Sequence, residues 1–375
     1  MEWGAPSRAR SDVKLLPTLL ALACAAASAP AQEALFALDW VGQAVVVQSS
    51  DGQGTALGSS GMHSANSLAR DPVSGEIYSL VYGVCGVVDC VGGGAIQRLD
   101  PATGLAQPTG AALDAYSASY AYAITPDGAH YALVRKHLTR NDLVRFDPWT
   151  GATTLVKAYA PKSISGLCAD AAGELWGWST ADGLVHVDKL SGAVTALAPG
   201  SGGAHIQGLA FGADGQLWGA RDELYAVDPL TGASTAIGPT GFQELRGLVS
   251  LSSPAWMQLG GALAGSAGAP QLSGQGPLTG GSSAVIELTQ AAPSAPAALV
   301  LGGSSAQLPW FGGVLVPLPE LALPWFTDAH GSAQLSVPLA AGTPTGVPIY
   351  LQAWVADFGA PQGLAASAGL IALTR

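Results

Sequence analysis

Hydrophobic positions in this chain come in short bursts, broken by Gly, Pro, Ser and Asp, a pattern that predicts β-strands joined by tight turns. One burst recurs: an apolar residue, two variable ones, another apolar one, then Asp. It is found at Leu35–Asp39, Ile96–Asp100, Leu143–Asp147, Leu184–Asp188 and Leu224–Asp228, with the aspartates 61, 47, 41 and 40 residues apart. In three copies the Asp opens Asp-Pro-x-Thr-Gly, at Asp100, Asp147 and Asp228, and Asp188-Lys189-Leu190-Ser191-Gly192 is a relaxed version. Pro presets φ at the first corner, Gly accepts positive φ, and the Asp carboxylate can accept from the turn's N–H groups, so each copy predicts a hairpin. A second marker precedes it, Gly followed three residues later by a large aromatic: Gly75 and Tyr78, Gly128 and Tyr131, Gly173 and Trp176, Gly215 and Trp218. Further upstream lie Gly166-Leu167-Cys168, Gly208-Leu209-Ala210 and Gly247-Leu248-Val249. Each unit reads as four short strands, with the aromatic on the second and the tight turn between the third and fourth.

Units of ~40–45 residues with four strands each are the signature of a β-propeller. Four units run from Ser67 to Gly241, the stretch from Leu35 to about Gln48 supplies third and fourth strands, and Leu245–Ser250 supplies a fresh first strand. Joining the two ends makes a composite blade and a five-bladed propeller. Six blades is the alternative, if irregular segments hide strands. The long first interval is assigned to the insert Gly83–Gly94 and the loop after Gln48.

The repeat resembles the YVTN, NHL and quinoprotein-like propellers of secreted bacterial proteins, Leu224-Tyr225-Ala226-Val227 followed by Asp228-Pro229-Leu230-Thr231-Gly232 being its best copy. The resemblance implies the fold for residues 33–258. It leaves function open, since such propellers include binding scaffolds, lyases, lactonases and dehydrogenases.

Composition changes at about Gly261. Residues 261–375 hold one basic residue, Arg375, and four acidic ones, Glu287, Glu320, Asp328 and Asp357. Short apolar strands there, with no helix-length amphipathic pattern, predict an antiparallel β-sandwich. Gly265-Ser266-Ala267-Gly268-Ala269-Pro270, the strand Ile349–Trp354 and the final strand Leu370–Thr374 resemble a C-terminal module common in secreted proteins of environmental bacteria. That resemblance implies an accessory role.

Residues 1–31 read as a secretory signal peptide: Arg8, Arg10 and Lys14, then an apolar run, then Ala29-Pro30-Ala31 as the cleavage site. A lipoprotein alternative places a lipid anchor on Cys24. The protein is therefore expected outside the cytoplasm, in the periplasm, on the cell surface or secreted, and as a monomer. Later apolar runs are far shorter than the ~20 residues of a spanning helix. In that oxidising setting Cys85 and Cys90, flanking Gly86-Val87-Val88-Asp89, are expected to form a disulfide, while Cys168 is expected to be a buried small hydrophobe.

Net charge is −11 with only 11% charged residues, which excludes a basic nucleic-acid binder. No H-E-x-x-H, G-x-S-x-G, P-loop or paired C-x-x-C occurs, so no catalytic residue, metal site or cofactor is assigned. Turn capping accounts for the repeated aspartates without calcium. The four marker aromatics are expected to pack between blades, and His186 to be an exposed strand residue. Charge placement singles out one region. Of the 12 cations after residue 31, six lie between 135 and 162. Arg135, Lys136, His137 and Arg140 belong to a loop between second and third strands, and Lys157 and Lys162 lead to the next blade. Both kinds of loop emerge on one face, so these residues are a candidate rim for an anionic polysaccharide or a protein partner. The expected function is thus non-catalytic binding. The alternatives are a propeller lyase, lactonase or quinone-dependent dehydrogenase, and a purely structural cell-surface protein.

Overall fold

The computed structural model describes residues 33–62, 65–81, 84–85, 90–91, 94–113, 118–137, 140–159, 164–198 and 204–375, without the side chains of 84, 85, 90, 91, 118, 136, 137 and 140. The expected signal segment 1–31 lies outside these residues. So do the sulfur atoms of Cys85 and Cys90, although the backbone pairs the two residues in register across a two-stranded ribbon.

The protein is all-β, and four-stranded antiparallel sheets repeat along residues 34–250. Sheet I is ordered Leu245–Ser250, Ala34–Asp39, Gln43–Gln48, Gly54–Ser59, and sheet II is Ala65–Arg70, Ile77–Val81, Ala95–Leu99, Ala106–Ala112. Sheet III is Ala118–Ile124, His130–His137, Arg140–Phe146, Thr153–Tyr159. Sheet IV is Ile164–Ala169, Leu175–Ser179, Gly183–Val187, Val194–Ala196, and sheet V is Gly208–Phe211, Leu217–Ala220, Glu223–Val227, Ser234–Pro239.

Alternation along the first strand of each sheet sends successive side chains to the two neighbouring sheets, which builds one apolar layer per pair. Tyr78 and Leu80 meet Tyr122 and Val144 between II and III. Leu133 and Leu143 meet Leu167 and Val185 between III and IV, and Trp178 meets Leu209 and Leu217 between IV and V. Trp218 meets Leu35 and Leu248 between V and I, and Phe36 meets Leu68 and Ile77 between I and II. The layers thus return to their start. First strands approach closely: a Cβ on Gly208 would lie 2.8 Å from Leu248 N, and one on Gly247 2.7 Å from Leu68 N. Only residues as small as these fit there.

The turn chemistry is as the repeat implies. Asp100, Asp147, Asp188 and Asp228 each accept from the N–H two residues on, and Gly104, Gly151, Gly192 and Gly232 have φ between 66° and 76°. The first copy differs. Leu35–Asp39 is the second strand of sheet I, so Asp39, accepting from Val41 and Gln43, caps the turn between second and third strands. The equivalent third-to-fourth turn runs from Gln48 to Gly52, with Gln48 in the Asp position and the Gly52 N–H bonded to its carbonyl. Residues 34–59 therefore supply three strands of sheet I, and a local Asx turn imitated the repeat at the wrong corner.

Beyond sheet I the chain forms a six-stranded sheet, a three-stranded sheet and the hairpin Ser305–Trp310/Gly313–Pro317. Leu272, Ile286 and Leu288 of the three-stranded sheet face Leu299, Leu351 and Leu370 of the six-stranded one across a single core. Trp256–Gly260, which precedes the composition change at 261, is already the edge strand of the six-stranded sheet, paired with Gly369–Leu373. Packing of Met257 and Leu373 with Val73 and Ala171 joins this part to the four-stranded sheets.

Candidate functional site

A recurring irregularity marks one end of the first strands. In sheet III Ser119 pairs with Val134 and Ala121 with Leu133, leaving Tyr120 extra. In sheet IV Ser165 is extra between Ile164 and Gly166, and in sheet I Arg246 is extra between Leu245 and Gly247. Sheet II shifts register across Asn66 and Ser67, and in sheet V Gln207 immediately precedes the strand. Each of Asn66, Tyr120, Ser165, Gln207 and Arg246 stands two residues before the large side chain that enters an apolar layer (Leu68, Tyr122, Leu167, Leu209, Leu248). A bulge re-aims the side chain it carries, and here it does so at the same level in successive sheets.

Several of these side chains connect neighbouring sheets. Asn66 Nδ2 donates to the Ser119 carbonyl at 2.9 Å, and Ser67 and Ser119 hydroxyls meet at 3.1 Å. Ser165 Oγ donates to the Ile206 carbonyl at 2.7 Å. Arg246 Nη2 donates to Glu244 Oε2 at 3.0 Å, and its guanidinium lies 4.6 Å from the Trp40 ring centroid. Arg221, on the turn between second and third strands of sheet V, donates Nη2 to Glu244 Oε1 at 3.0 Å and Nη1 to His205 Nδ1 at 2.7 Å. Both arginine Nε atoms and Gln207 Oε1 are buried without a hydrogen-bond partner.

Glu244 is the centre of this arrangement. Its φ is +54°, a left-handed conformation that a non-glycine residue adopts at a cost, and its N–H donates to Asp222 Oδ1. The hydrogen bond from Arg246, with the charges of Arg246 and Arg221, holds the carboxyl below its usual range against the opposing effect of burial.

Of the residues singled out from charge density, Arg135 lies on the second strand of sheet III, half-buried, its guanidinium 4.6 Å from the Tyr120 ring centroid. It joins the bulge level through Tyr120. Lys157 lies on the outermost strand, paired with Leu143, exposed, with its Cβ against Gly192 of sheet IV. The side chains of Lys136, His137 and Arg140, and the whole of Lys162, lie outside the described residues. Sequence reasoning missed Trp40, Arg221, Glu244 and Arg246. The signal for Arg246 was its place directly before the small-residue-Leu pair, shared with Ser165 and Gln207.

The marker aromatics pack between sheets: Tyr78, Tyr131 and Trp218 are buried, and Trp176, half-buried, lies edge-on to Phe211. His186 is half-buried rather than exposed, with Nε2 3.0 Å from Glu174, because the preceding hairpin places an acid opposite it as Glu76 stands opposite Arg98. Among the described residues no group of three or more His, Cys, Asp and Glu is placed to hold a metal, and no helix is long and apolar enough to cross a membrane.

No protein-family model matches the chain, and no curated protein matches it in sequence. Among solved structures it is similar at 12% identity to a chain of a nidogen/laminin complex, with a TM-score of 0.41 over 60% of this chain and 99% of the other. A putative 6-phosphogluconolactonase from Bacteroides fragilis gives 12% identity and a TM-score of 0.35, over 58% and 98%. Virginiamycin B lyase from Staphylococcus aureus gives 12% and 0.32, over 80% and 89%.

Proposed function

We infer that the protein is an exported binding protein, a five-bladed β-propeller with a C-terminal β-sandwich, and that the bulge-bearing end of the propeller takes an anionic ligand. The five sheets with layers that return to their start support the blade count, and the two sheets facing across one core support the sandwich. The signal-like residues 1–31 support export.

The observation that carries the binding reading is the set of three guanidinium groups at one level. Arg135 is laid over Tyr120 and Arg246 over Trp40, while Arg221 reaches across from sheet V. Stacking on an aromatic face fixes the guanidinium plane, and an incoming carboxylate would compete with Glu244 for the donors of Arg246 and Arg221. A uronate-bearing polysaccharide or an acidic protein segment offers carboxylates at repeating spacing.

The rival enzyme reading has one observation in its favour. His205 and Glu244, from the segments either side of sheet V, are both held by Arg221. Because Arg only donates, His205 Nδ1 accepts, which leaves its proton on Nε2.

Calorimetric titration with oligogalacturonate separates these readings. Binding that weakens with salt, at least about tenfold weaker in Arg221→Ser/Arg246→Ser, with the oligomer recovered intact, is the expected outcome. Shortened or unsaturated oligomers would establish turnover instead, and absence of salt-sensitive binding would refute the assignment.

A further inference from the structure

The opposite ends of the same first strands enclose a second site. A cavity of about 610 Å³ opens there, between those strand ends and the segment that leads into the six-stranded sheet. Equivalent positions of the sheets, among them Ala123, Cys168, Ala210 and Val249, form its floor, and Trp176 and Met257 stand in its walls. A concave, mainly apolar space of this size is what a small-molecule site requires.

One charged group in it is unlike the rest. Arg70 lines the cavity, and the only hydrogen bond of its guanidinium among the described residues is from Nη1 to Ser253 Oγ at 2.7 Å. No carboxylate of the described residues lies within ion-pair distance of it. The acids nearby are engaged elsewhere, Glu33 accepting from the Ala213 N–H, Trp218 Nε1 and Ser250 Oγ. Asp170 accepts from the Ala172 and Glu174 N–H groups and from Trp176 Nε1, and Asp71 accepts from the Val73 and Ser74 N–H groups. Asp214 accepts from the Gln216 N–H. A guanidinium carries five donors, so Arg70 faces an apolar space with most of its donors uncommitted. Burial lowers its pKa against the opposing charges of Asp71 and Glu33, and an incoming anion would add to that opposition.

We propose that this cavity binds an amphipathic carboxylate, an aliphatic chain lying over the apolar floor with its head group on Arg70. The site is independent of Arg221, Arg246 and Arg135, which sit at the other end of the strands. Ser253 belongs to the connecting segment, so the head group would be held by a residue of sheet II that is itself tied to that segment.

The test is calorimetric titration of the full chain with decanoate and, as a neutral-headed control, decan-1-ol. Decanoate is expected to bind with a Kd below about 1 mM. Arg70→Gln is expected to weaken decanoate at least about tenfold while leaving decan-1-ol within about twofold, the second readout showing that the cavity is intact. Two filling variants at half-buried wall positions, Ala255→Trp and Ala169→Phe, are each expected to abolish binding of both ligands. The proposal is overturned if decanoate does not bind the parent chain, if both filling variants bind it unchanged, or if Arg70→Gln binds it within about twofold of the parent.

Discussion

Gly151 and Gly232 occupy the same place in two copies of the Asp-Pro-x-Thr-Gly turn and have the same φ, +74°. Their surroundings differ. A Cβ on Gly232 would meet nothing closer than Leu184 Cβ at 3.4 Å, whereas one on Gly151 would sit 1.9 Å from the Ala112 carbonyl oxygen and 2.7 Å from its carbon. Changing each to Ala therefore separates backbone strain from collision. Left-handed φ costs an L-residue about 1–2 kcal/mol, and the lost freedom of the unfolded chain returns about 0.4–1 kcal/mol, so Gly232→Ala should destabilise by about 0.5–1 kcal/mol. Gly151→Ala must also displace the Ala112 carbonyl, which ends the outer strand of sheet II opposite Ala95. Overpacking of that kind adds about 1–3 kcal/mol, for a total of about 2–4 kcal/mol. Urea unfolding followed by the fluorescence of the buried Trp178 and Trp218 measures both. Equal losses in the two variants, within about 0.5 kcal/mol, would show that the turn of sheet III does not wedge against sheet II as described.

Glu244→Gln removes the internal anion that a ligand must displace from Arg221 and Arg246, so affinity for oligogalacturonate should rise by about threefold or more, read by the same titration. Burial holds His130 down to about 4, against about 6.5 in an unfolded chain. The unfolded state therefore takes up a proton first as pH falls, and stability present above pH ~6.5 should decline towards pH ~4 by about 2–3 kcal/mol. His130→Phe should flatten that slope in urea unfolding across the same window, and an unchanged slope would count against the buried neutral imidazole beside Tyr122. Burial pushes the Cys168 thiol up and keeps its thiolate scarce, so iodoacetamide should label it, by peptide mass spectrometry, far more slowly before denaturation than after.

What was legible in the sequence was local. Asp100, Asp147, Asp188 and Asp228 announce their hairpins because the capping acid, the corner and the positive-φ glycine all lie within five residues. The same locality misled at Asp39, where a similar Asp cap serves a different corner, and hid the Gln48–Gly52 turn, which lacks an acid at its first position. The anionic-ligand region was sought where cations are dense along the chain, from Arg135 to Lys162. In the fold, cations meet from different sheets: Arg221 of the sheet V turn and Arg246 of sheet I share Glu244. A bulge leaves no compositional mark either, so the common aim of Tyr120, Ser165 and Arg246 appears only once strand pairing is known.

The composite sheet I also sets an order of events during synthesis. Ala34–Asp39 emerges early, but its partner Leu245–Ser250 is made more than two hundred residues later. Until then Leu35 and Ala37 lack the apolar layer shared with Trp218 and Leu248, and Phe36 and Leu38 have only sheet II to cover them. Closing contacts so remote in sequence is slow, because the chain entropy of the whole loop is lost first. Sheets II to V can each form as they leave the ribosome, while the earliest strands wait for the latest. A nascent chain stopped short of Leu245 therefore exposes a sticky edge at its own beginning, and release of the segment through Ser250 is the step that retires it.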